Sequence, residues 1–174
     1  MRSSIISVVA AFGLAGFVLA GCGQEQASNQ PGDTPAAGQA ATTADMSPEG
    51  NQKFLAENKA KTGVTTTASG LQYRVIKSGT GASPTPNDIV NVTYRGWLID
   101  GTVFDETPPG QTATFPAGQL IPGWVEALQL MKEGDEWEIV LPSELGYGAQ
   151  GAGGVIPPNQ TLVFNMALLG VQKQ

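Results

Sequence analysis

The side chains available for chemistry in this chain are carboxylates, hydroxyls and aromatic rings, because other common reactive groups are scarce. The 174 residues include no histidine and one cysteine. Without histidine the chain cannot form a Ser-His-Asp triad, a Cys-His dyad or a histidine-ligated metal site, and a single cysteine cannot form an intrachain disulfide. We therefore expect a site that uses carboxylates, hydroxyls, aromatic rings and backbone groups, with no cofactor and no metal.

The single cysteine, Cys22, follows a typical targeting segment. Arg2 precedes an apolar run over residues 5–19, which is shorter than a comfortable membrane span and typical of a signal peptide. The run ends in Leu-Ala-Gly-Cys, which resembles the bacterial lipobox, where the cysteine is lipidated and becomes the first mature residue. The alternative is an incidental thiol. We predict a lipidated Cys22 that anchors the chain in the membrane, and Gly23 after it favours an outer membrane, facing the periplasm, in a Gram-negative cell.

The segment after Cys22 contains almost no bulky apolar residue, so it is predicted to be a disordered tether. A short helix is predicted next, with Ser47 as N-cap, a proline as its first residue and Gly63 as its stop. Phe54 and Leu55 are its only large apolar residues, so it should lean on the domain or fray. The predicted segments are a signal peptide (1–21), the lipidated cysteine and tether (22–45), the short helix and its lead-in (46–67), and one domain (68–174).

Charge and glycine patterns argue against nucleic-acid and nucleotide binding. The net charge is −6, the isoelectric point is near 4.5, and the basic residues are scattered, whereas nucleic-acid binding needs a basic stripe. Glycines cluster between residues 146 and 154 as in phosphate-binding loops, but no Lys-Ser/Thr pair and no helix signal follows. Together with Pro157 and Pro158, this segment is interpreted as a loop of restricted geometry over the site.

The elements that must position a site are predicted from hydrophobic periodicity. Alternation of apolar and polar residues predicts strands at 71–75, 90–98, 137–141 and 162–168. Helical spacing places four apolar residues on one face: Trp124, Ala127, Leu128 and Met131. Gly134 lies just past the end of this helix. A sheet with one helix across its apolar face is an α+β architecture.

Three stretches of the domain resemble the FKBP-type peptidyl-prolyl isomerases. They are VNVTYRGWLIDGTVFDET (90–107), QLIPGWVEALQLMKEGD (119–135) and LGYGAQGAGGVIPPNQTLVF (145–164). The resemblance implies a half-wrapped antiparallel five-stranded β-sheet around one short central α-helix. The lead-in FLAENKAKTGVTTTASGLQY (54–73) is similar to the macrophage-infectivity-potentiator branch, whose members often carry a long helical dimerisation region. Only one short helix stands here, so a monomer is expected.

The resemblance also implies an aromatic pocket between sheet and helix. Its implied catalytic residues are Tyr94, Phe104, Asp105, Tyr147 and Phe164. Its implied substrate-binding residues are Phe115, Leu120, Ile121, Trp124 and Ile156. By pattern alone these aromatic residues would be ordinary core, and Asp105 a turn residue. Two departures from the family pattern stand out: Ala113 replaces a second aromatic beside Phe115, which thins one wall, and no arginine follows Asp105.

The implied roles are those of a pocket that binds proline. Trp124 would form the floor under the proline ring, the Ile156 N–H and the Tyr147 hydroxyl would hold substrate carbonyls, and Asp105 would orient Tyr94 or face the twisted carbonyl indirectly. The implied activity is cis/trans isomerisation of X–Pro bonds in proline-containing polypeptides, which assists the folding of secreted or envelope proteins. Such a reaction needs no nucleophile or metal.

The implied ligands include rapamycin-type macrolides, with weaker binding expected from the wall thinned at Ala113. The alternative function is a membrane-tethered chaperone or binding module that uses the same pocket without significant turnover.

Overall fold

The computed structural model of the protein describes residues 44–174, which form one antiparallel sheet and two α-helices. The predicted signal peptide, Cys22 and nearly all of the tether lie outside the described residues. The helices are α1 (Pro48–Lys59) and α2 (Pro122–Leu130). The strands are β1 (Val64–Thr66), β2 (Gln72–Lys77), β3 (Ile89–Leu98), β4 (Val103–Glu106), β5 (Ala113–Pro116), β6 (Glu136–Leu141) and β7 (Leu162–Gln172). Neither helix is long and apolar enough to cross a membrane.

The predicted α+β class is confirmed, but the sheet has seven strands rather than five. Its order is β1-β2-β6-β7-β3-β4, and β5 pairs with β3 next to the segment that pairs with β4. The strands that the sequence did not indicate are β1, with three residues, and β4 and β5, with four each. Segments this short contain too few alternating positions to reveal a period of two.

The core lies between α2 and the inner face of the sheet. The helix face predicted from spacing is confirmed, because Ala127 and Leu128 are fully buried and Trp124 nearly so; Met131 is also buried but is the C-cap just past the end of α2. They pack with inward-facing strand residues such as Ile139 in one apolar cluster. Each large apolar side chain buried in this way contributes about 1.5–3 kcal/mol. The core therefore fixes α2, and with it Trp124, against the sheet.

Helix α1 begins as predicted and ends earlier than predicted. The Ser47 hydroxyl accepts a hydrogen bond from the Gly50 N–H at 3.1 Å, as an N-cap should. The helix stops at Lys59, and a turn over residues 60–63 leads to Gly63 with a φ of 82°. Gly63 therefore does not end the helix itself. It supplies the left-handed residue at the end of the turn, where a side chain would be strained.

Two amides, rather than the apolar residues of α1, attach this helix to the rest of the domain. The buried residues of α1 are Asn51 and Asn58, while Phe54 and Leu55 are only half-buried. The Asn58 Nδ2 donates to the Gln72 Oε1 at 2.8 Å. Buried amides with matched partners give a specific orientation, because an unmatched one costs about 1–3 kcal/mol. The prediction that α1 leans on the domain is thus right, but the contact is polar.

Asp88, directly before β3, ties the C-terminal end of the described chain to the sheet. Its buried carboxylate accepts hydrogen bonds from the Thr85 N–H at 2.6 Å and from the Lys173 Nζ at 2.9 Å. The Thr85 N–H, followed by Lys173, holds the pKa of Asp88 well below its usual range. Because the folded-state pKa is depressed, the stabilisation is present above the unfolded pKa of about 3.9 and is lost as the pH falls towards the folded pKa.

Replacing Asp88 by asparagine is therefore expected to lower the melting temperature at pH 7. The gap from the wild type should narrow progressively as the pH is taken below about 3.9. Thermal unfolding followed by circular dichroism over a pH series measures both effects. Glu57→Gln, a change at an exposed carboxylate of α1, serves as control and should give a small gap throughout. A gap for Asp88→Asn that stays constant with pH would contradict this account.

Candidate active site

A pocket of about 260 Å³ opens between α2 and the inner face of the sheet. Its walls bring together residues from β3, β4, β5, β7, α2 and the connecting segments. The lining residues are Tyr94, Phe104, Asp105, Phe115, Gln119, Leu120, Ile121, Trp124, Tyr147 and Phe164. All the predicted site residues of the domain are in this set except Ile156. Gln119 is the one lining residue that the sequence did not single out.

Trp124 forms the centre of an aromatic cluster at this pocket. Its ring meets those of Tyr94, Phe164 and Phe115 edge to face, with centroids 5.0, 5.3 and 6.3 Å apart. Edge-to-face pairs add about 0.5–1.5 kcal/mol each beyond the area they bury. The side chain is 4% exposed, and its Nε1 has no hydrogen-bond partner among residues 44–174. Packing against rings and other core residues, rather than a hydrogen bond, therefore holds the indole in place.

A β-bulge lets two residues that are adjacent in sequence line the same pocket. Successive residues of a regular strand point to opposite faces. Between β3 and β4 the register shifts, because Gly96 pairs with Asp105 whereas Trp97 pairs with Val103. Phe104 is thus the extra, unpaired residue, and bulges of this kind re-aim side chains. The bulge places the Phe104 ring and the Asp105 carboxylate together in the site.

Gly96 has no side chain, and its absence leaves room for two aromatic rings that form walls of the pocket. The rings of Phe104 and Phe164 pack edge to face with centroids 5.4 Å apart, directly over this glycine. A Cβ at position 96 would lie 2.7 Å from the Phe104 Cζ and 2.7 Å from the Phe164 Cε1. Neither distance is tolerable for carbon atoms, so the close approach of both rings to β3 requires glycine here.

The polar side of the pocket is organised around Asp105. The Tyr94 hydroxyl donates to the Asp105 Oδ2 at 2.6 Å. Burial, and then this hydrogen bond, raise the pKa of Tyr94 above its ordinary value. Burial and the charge of Asp105 likewise raise the pKa of Tyr147. Both tyrosines therefore stay neutral at physiological pH, and within the described chain the Tyr147 hydroxyl has no hydrogen-bond partner that would compete with a ligand.

The backbone donor predicted at Ile156 is already engaged. The Ile156 side chain is buried in the core, and its N–H donates to the Ala152 carbonyl at 3.0 Å within the loop. Ile121 instead lines the pocket, and its N–H has no acceptor among the described residues. Ile121 is the N-cap of α2, and Pro122 follows as the first helical residue. An N-cap N–H lies outside the helical hydrogen bonds, so this Ile-Pro pair was a signal in the sequence for a free donor.

The departure at Ala113 lies beside the pocket rather than in it. Ala113 pairs with Val92 on β5 and packs against the core, and Phe115 supplies the wall on this side. The Phe115 ring lies 6.3 Å from that of Tyr94. In the described part of the chain, no three acidic or cysteine side chains are grouped so that they could hold a metal ion. The arrangement is an apolar, ring-lined cavity with a few hydrogen-bonding groups at its edge.

Comparison with known sequences agrees with this geometry. Residues 81–169 match the family model for the FKBP-type peptidyl-prolyl cis-trans isomerase, and residues 23–75 match the model for the domain amino terminal to it. The outer membrane protein MIP of Legionella longbeachae is 53% identical over 121 residues, which are 69% of this chain and 52% of that protein. The FKBP-type 22 kDa peptidyl-prolyl cis-trans isomerase of Escherichia coli is 54% identical over 68% of this chain and 58% of its own. The chain thus spans about half the length of the curated relatives it matches.

Solved structures agree with the fold. The peptidyl-prolyl cis-trans isomerase of Pseudomonas syringae pv. tomato is 40% identical with a TM-score of 0.68, over 72% of this chain and 92% of that one. FkpA from Escherichia coli is also 40% identical with a TM-score of 0.68, over 70% of this chain and 57% of that one. By its sequence and its fold, the chain belongs to the FKBP-type peptidyl-prolyl cis-trans isomerase family.

Proposed function

We propose that the chain catalyses cis/trans isomerisation of X–Pro bonds in polypeptides. The observation that carries this proposal is the pocket of about 260 Å³ with Trp124 at its centre and aromatic walls. It also has two hydrogen-bond donors, the Ile121 N–H and the Tyr147 hydroxyl, that have no partner within residues 44–174. A proline ring is compact and apolar, so it suits such a cavity. The donors suit the carbonyl groups that flank it.

The proposed mechanism is non-covalent. A planar amide is charge-separated by resonance and well solvated, whereas the twisted amide at the top of the barrier of about 18–20 kcal/mol has lost much of that dipole. An apolar pocket therefore disfavours the planar state relative to the twisted one, and this difference lowers the barrier. Ile121 and Tyr147 hold the flanking chain, while Asp105 fixes the Tyr94 hydroxyl through its 2.6 Å hydrogen bond.

The proposal extends to location and partners. The relative named outer membrane protein MIP, together with the lipobox-like sequence ending at Cys22, supports a lipid-anchored protein of the cell envelope that assists the folding of secreted or envelope proteins. Rapamycin-type macrolides are proposed as ligands of the same pocket, since aromatic rings line it around Trp124. Among residues 44–174, one helix of 12 residues precedes the sheet, and this short helix supports a monomer.

A cis-to-trans assay on a short Xaa-Pro peptide tests the activity, with the full chain solubilised in mild detergent. We expect catalysis with a kcat/KM of at least about 10⁴ M⁻¹ s⁻¹. A folded protein that leaves the rate at its buffer value would refute the isomerase proposal. If that inactive protein still bound prolyl peptides and suppressed aggregation of an unfolded protein, the function would be that of a tethered binding module.

A further inference from the structure

Asn51 connects α1 to the far end of the loop that follows Tyr147. Its side chain, 5% exposed, donates from Nδ2 to the Ser47 carbonyl at 2.9 Å and lies 3.2 Å from the Gln160 Oε1. Its Oδ1 accepts the Thr161 N–H at 2.7 Å. A single buried amide thus satisfies groups at the N-cap of α1 and directly before β7. The residues joined in this way are more than 100 positions apart in sequence.

Gln160 links Asn51 to the loop that follows Tyr147. Its buried side chain accepts from Asn51 through Oε1 and donates from Nε2 to the Pro158 carbonyl at 3.1 Å. The neighbouring Asn159 is the one non-glycine among residues 44–174 with a positive φ, 59°, and its N–H donates to the Gly148 carbonyl at 2.8 Å. A left-handed residue persists where the surrounding contacts determine its backbone. The hydrogen bond from Asn159 to Gly148 therefore joins the two ends of the loop, and Asn51 of α1 supports this junction through its contact with Gln160.

We infer that Asn51 is a positioning residue that holds the loop over residues 148–160, and Tyr147 before it, in the geometry that completes the pocket. Tyr147 is 40% exposed and lines the pocket, so its place depends on the loop that it begins. Helix α1 thereby becomes part of the support of the site. The kinetic part of this inference rests on the proposed isomerase activity. Loss of the Asn51 contact should weaken the binding of the substrate chain more than it slows the isomerisation itself.

Asn58 provides a matched control on the same helix. It is also buried, at 3% exposed, and it also pairs with a glutamine, Gln72, at 2.8 Å. It lies seven residues after Asn51, about two turns along one face of α1. Its partner belongs to β2 rather than to the loop. Replacing Asn58 therefore weakens the attachment of α1 and leaves the contact with Gln160 in place.

The experiment compares Asn51→Ala, Gln160→Ala and Asn58→Ala in the full chain. Kinetics on a prolyl peptide give kcat and KM, thermal unfolding gives the melting temperature, and native-state hydrogen exchange follows the loop amides and that of Thr161. We expect both Asn51→Ala and Gln160→Ala to raise KM about 5- to 10-fold with kcat changed less than about twofold, and to speed exchange in the loop. Asn58→Ala should lower the melting temperature while KM and loop exchange stay near the wild type.

Equal changes in KM for Asn51→Ala and Asn58→Ala would overturn the inference, because they would show only a general effect of helix attachment. Unchanged loop exchange in both Asn51→Ala and Gln160→Ala would also overturn it. If Asn51→Ala fails to fold, Gln160→Ala removes the same contact from the loop side. A wild type without isomerase activity would refute the proposed function. Hydrogen exchange needs no turnover, so the exchange rates of the variants would still decide whether α1 is coupled to the loop.

Discussion

Replacing Phe104 by alanine is expected to lower kcat/KM for a prolyl peptide by about 10- to 100-fold, which corresponds to about 1.4–2.7 kcal/mol of transition-state stabilisation. The Phe104 ring forms one wall of the pocket and packs edge to face on Phe164. Without it the cavity opens to water, which solvates the planar amide and removes the preference for the twisted one. Phe104 is only half-buried, so the fold should survive the loss.

The control for this variant is Phe54→Ala, which makes the same change at a half-buried phenylalanine of α1 outside the pocket. Its kcat/KM should stay within about twofold of the wild type. The cis-to-trans assay measures both variants, and circular dichroism verifies that each is folded. A folded Phe104→Ala protein with the turnover of the wild type would show that this wall plays no part in catalysis.

Replacing Gly96 by alanine is expected to lower turnover at least as strongly, about 100-fold, although it adds one methyl group and removes nothing. The added Cβ would lie 2.7 Å from the Phe104 and Phe164 rings. Phe164 is buried and cannot retreat, so the Phe104 side of the pocket must deform. Overpacking of this kind costs about 1–3 kcal/mol in stability and moves the walls on which differential binding depends.

Gly170→Ala is the matched control, because a Cβ there would meet its nearest neighbour, the Asn91 Cβ, at an ordinary 3.8 Å. Melting temperature and kcat/KM should both change little in this variant. For Gly96→Ala both should fall. If Gly96→Ala kept the turnover of the wild type, the two rings would not need to approach β3 so closely for catalysis.

The sequence predicted the class of fold and named most of the residues that line the pocket, for reasons that particular residues show. Trp124 and Leu128 fell at helical spacing, and Trp137 and Ile139 alternated with Glu136 and Glu138, so the burial of the apolar residues followed from periodicity alone. The membership of the pocket came from the family resemblance. The bulge at Phe104 had no signal of its own, because it appears only in the register of β4 against β3.

Contacts between distant residues were also beyond the sequence. The sequence offered Phe54 and Leu55 as the contacts of α1, yet Asn51 and Asn58 are the residues buried. Asparagine is usually exposed, and Gln160, the partner of Asn51, is 109 positions away in sequence. The backbone donor was misplaced for a similar reason, since the Ile156 N–H is engaged by Ala152 through the conformation of the loop. Hydrogen-bond partners of this kind depend on tertiary structure, which no local pattern encodes.

The position of β7 affects how the protein is made. This strand lies in the middle of the sheet, between β6 and β3. A ribosome or an export channel delivers the chain from its N-terminus, so until residues 162–172 emerge the edges of β6 and β3 that face β7 lack their partner strand. Open edges invite pairing with other chains. A protein proposed to assist the folding of others is thus itself exposed to aggregation until β7 arrives, which pairs with both edges and brings Phe164 to the pocket at the same moment.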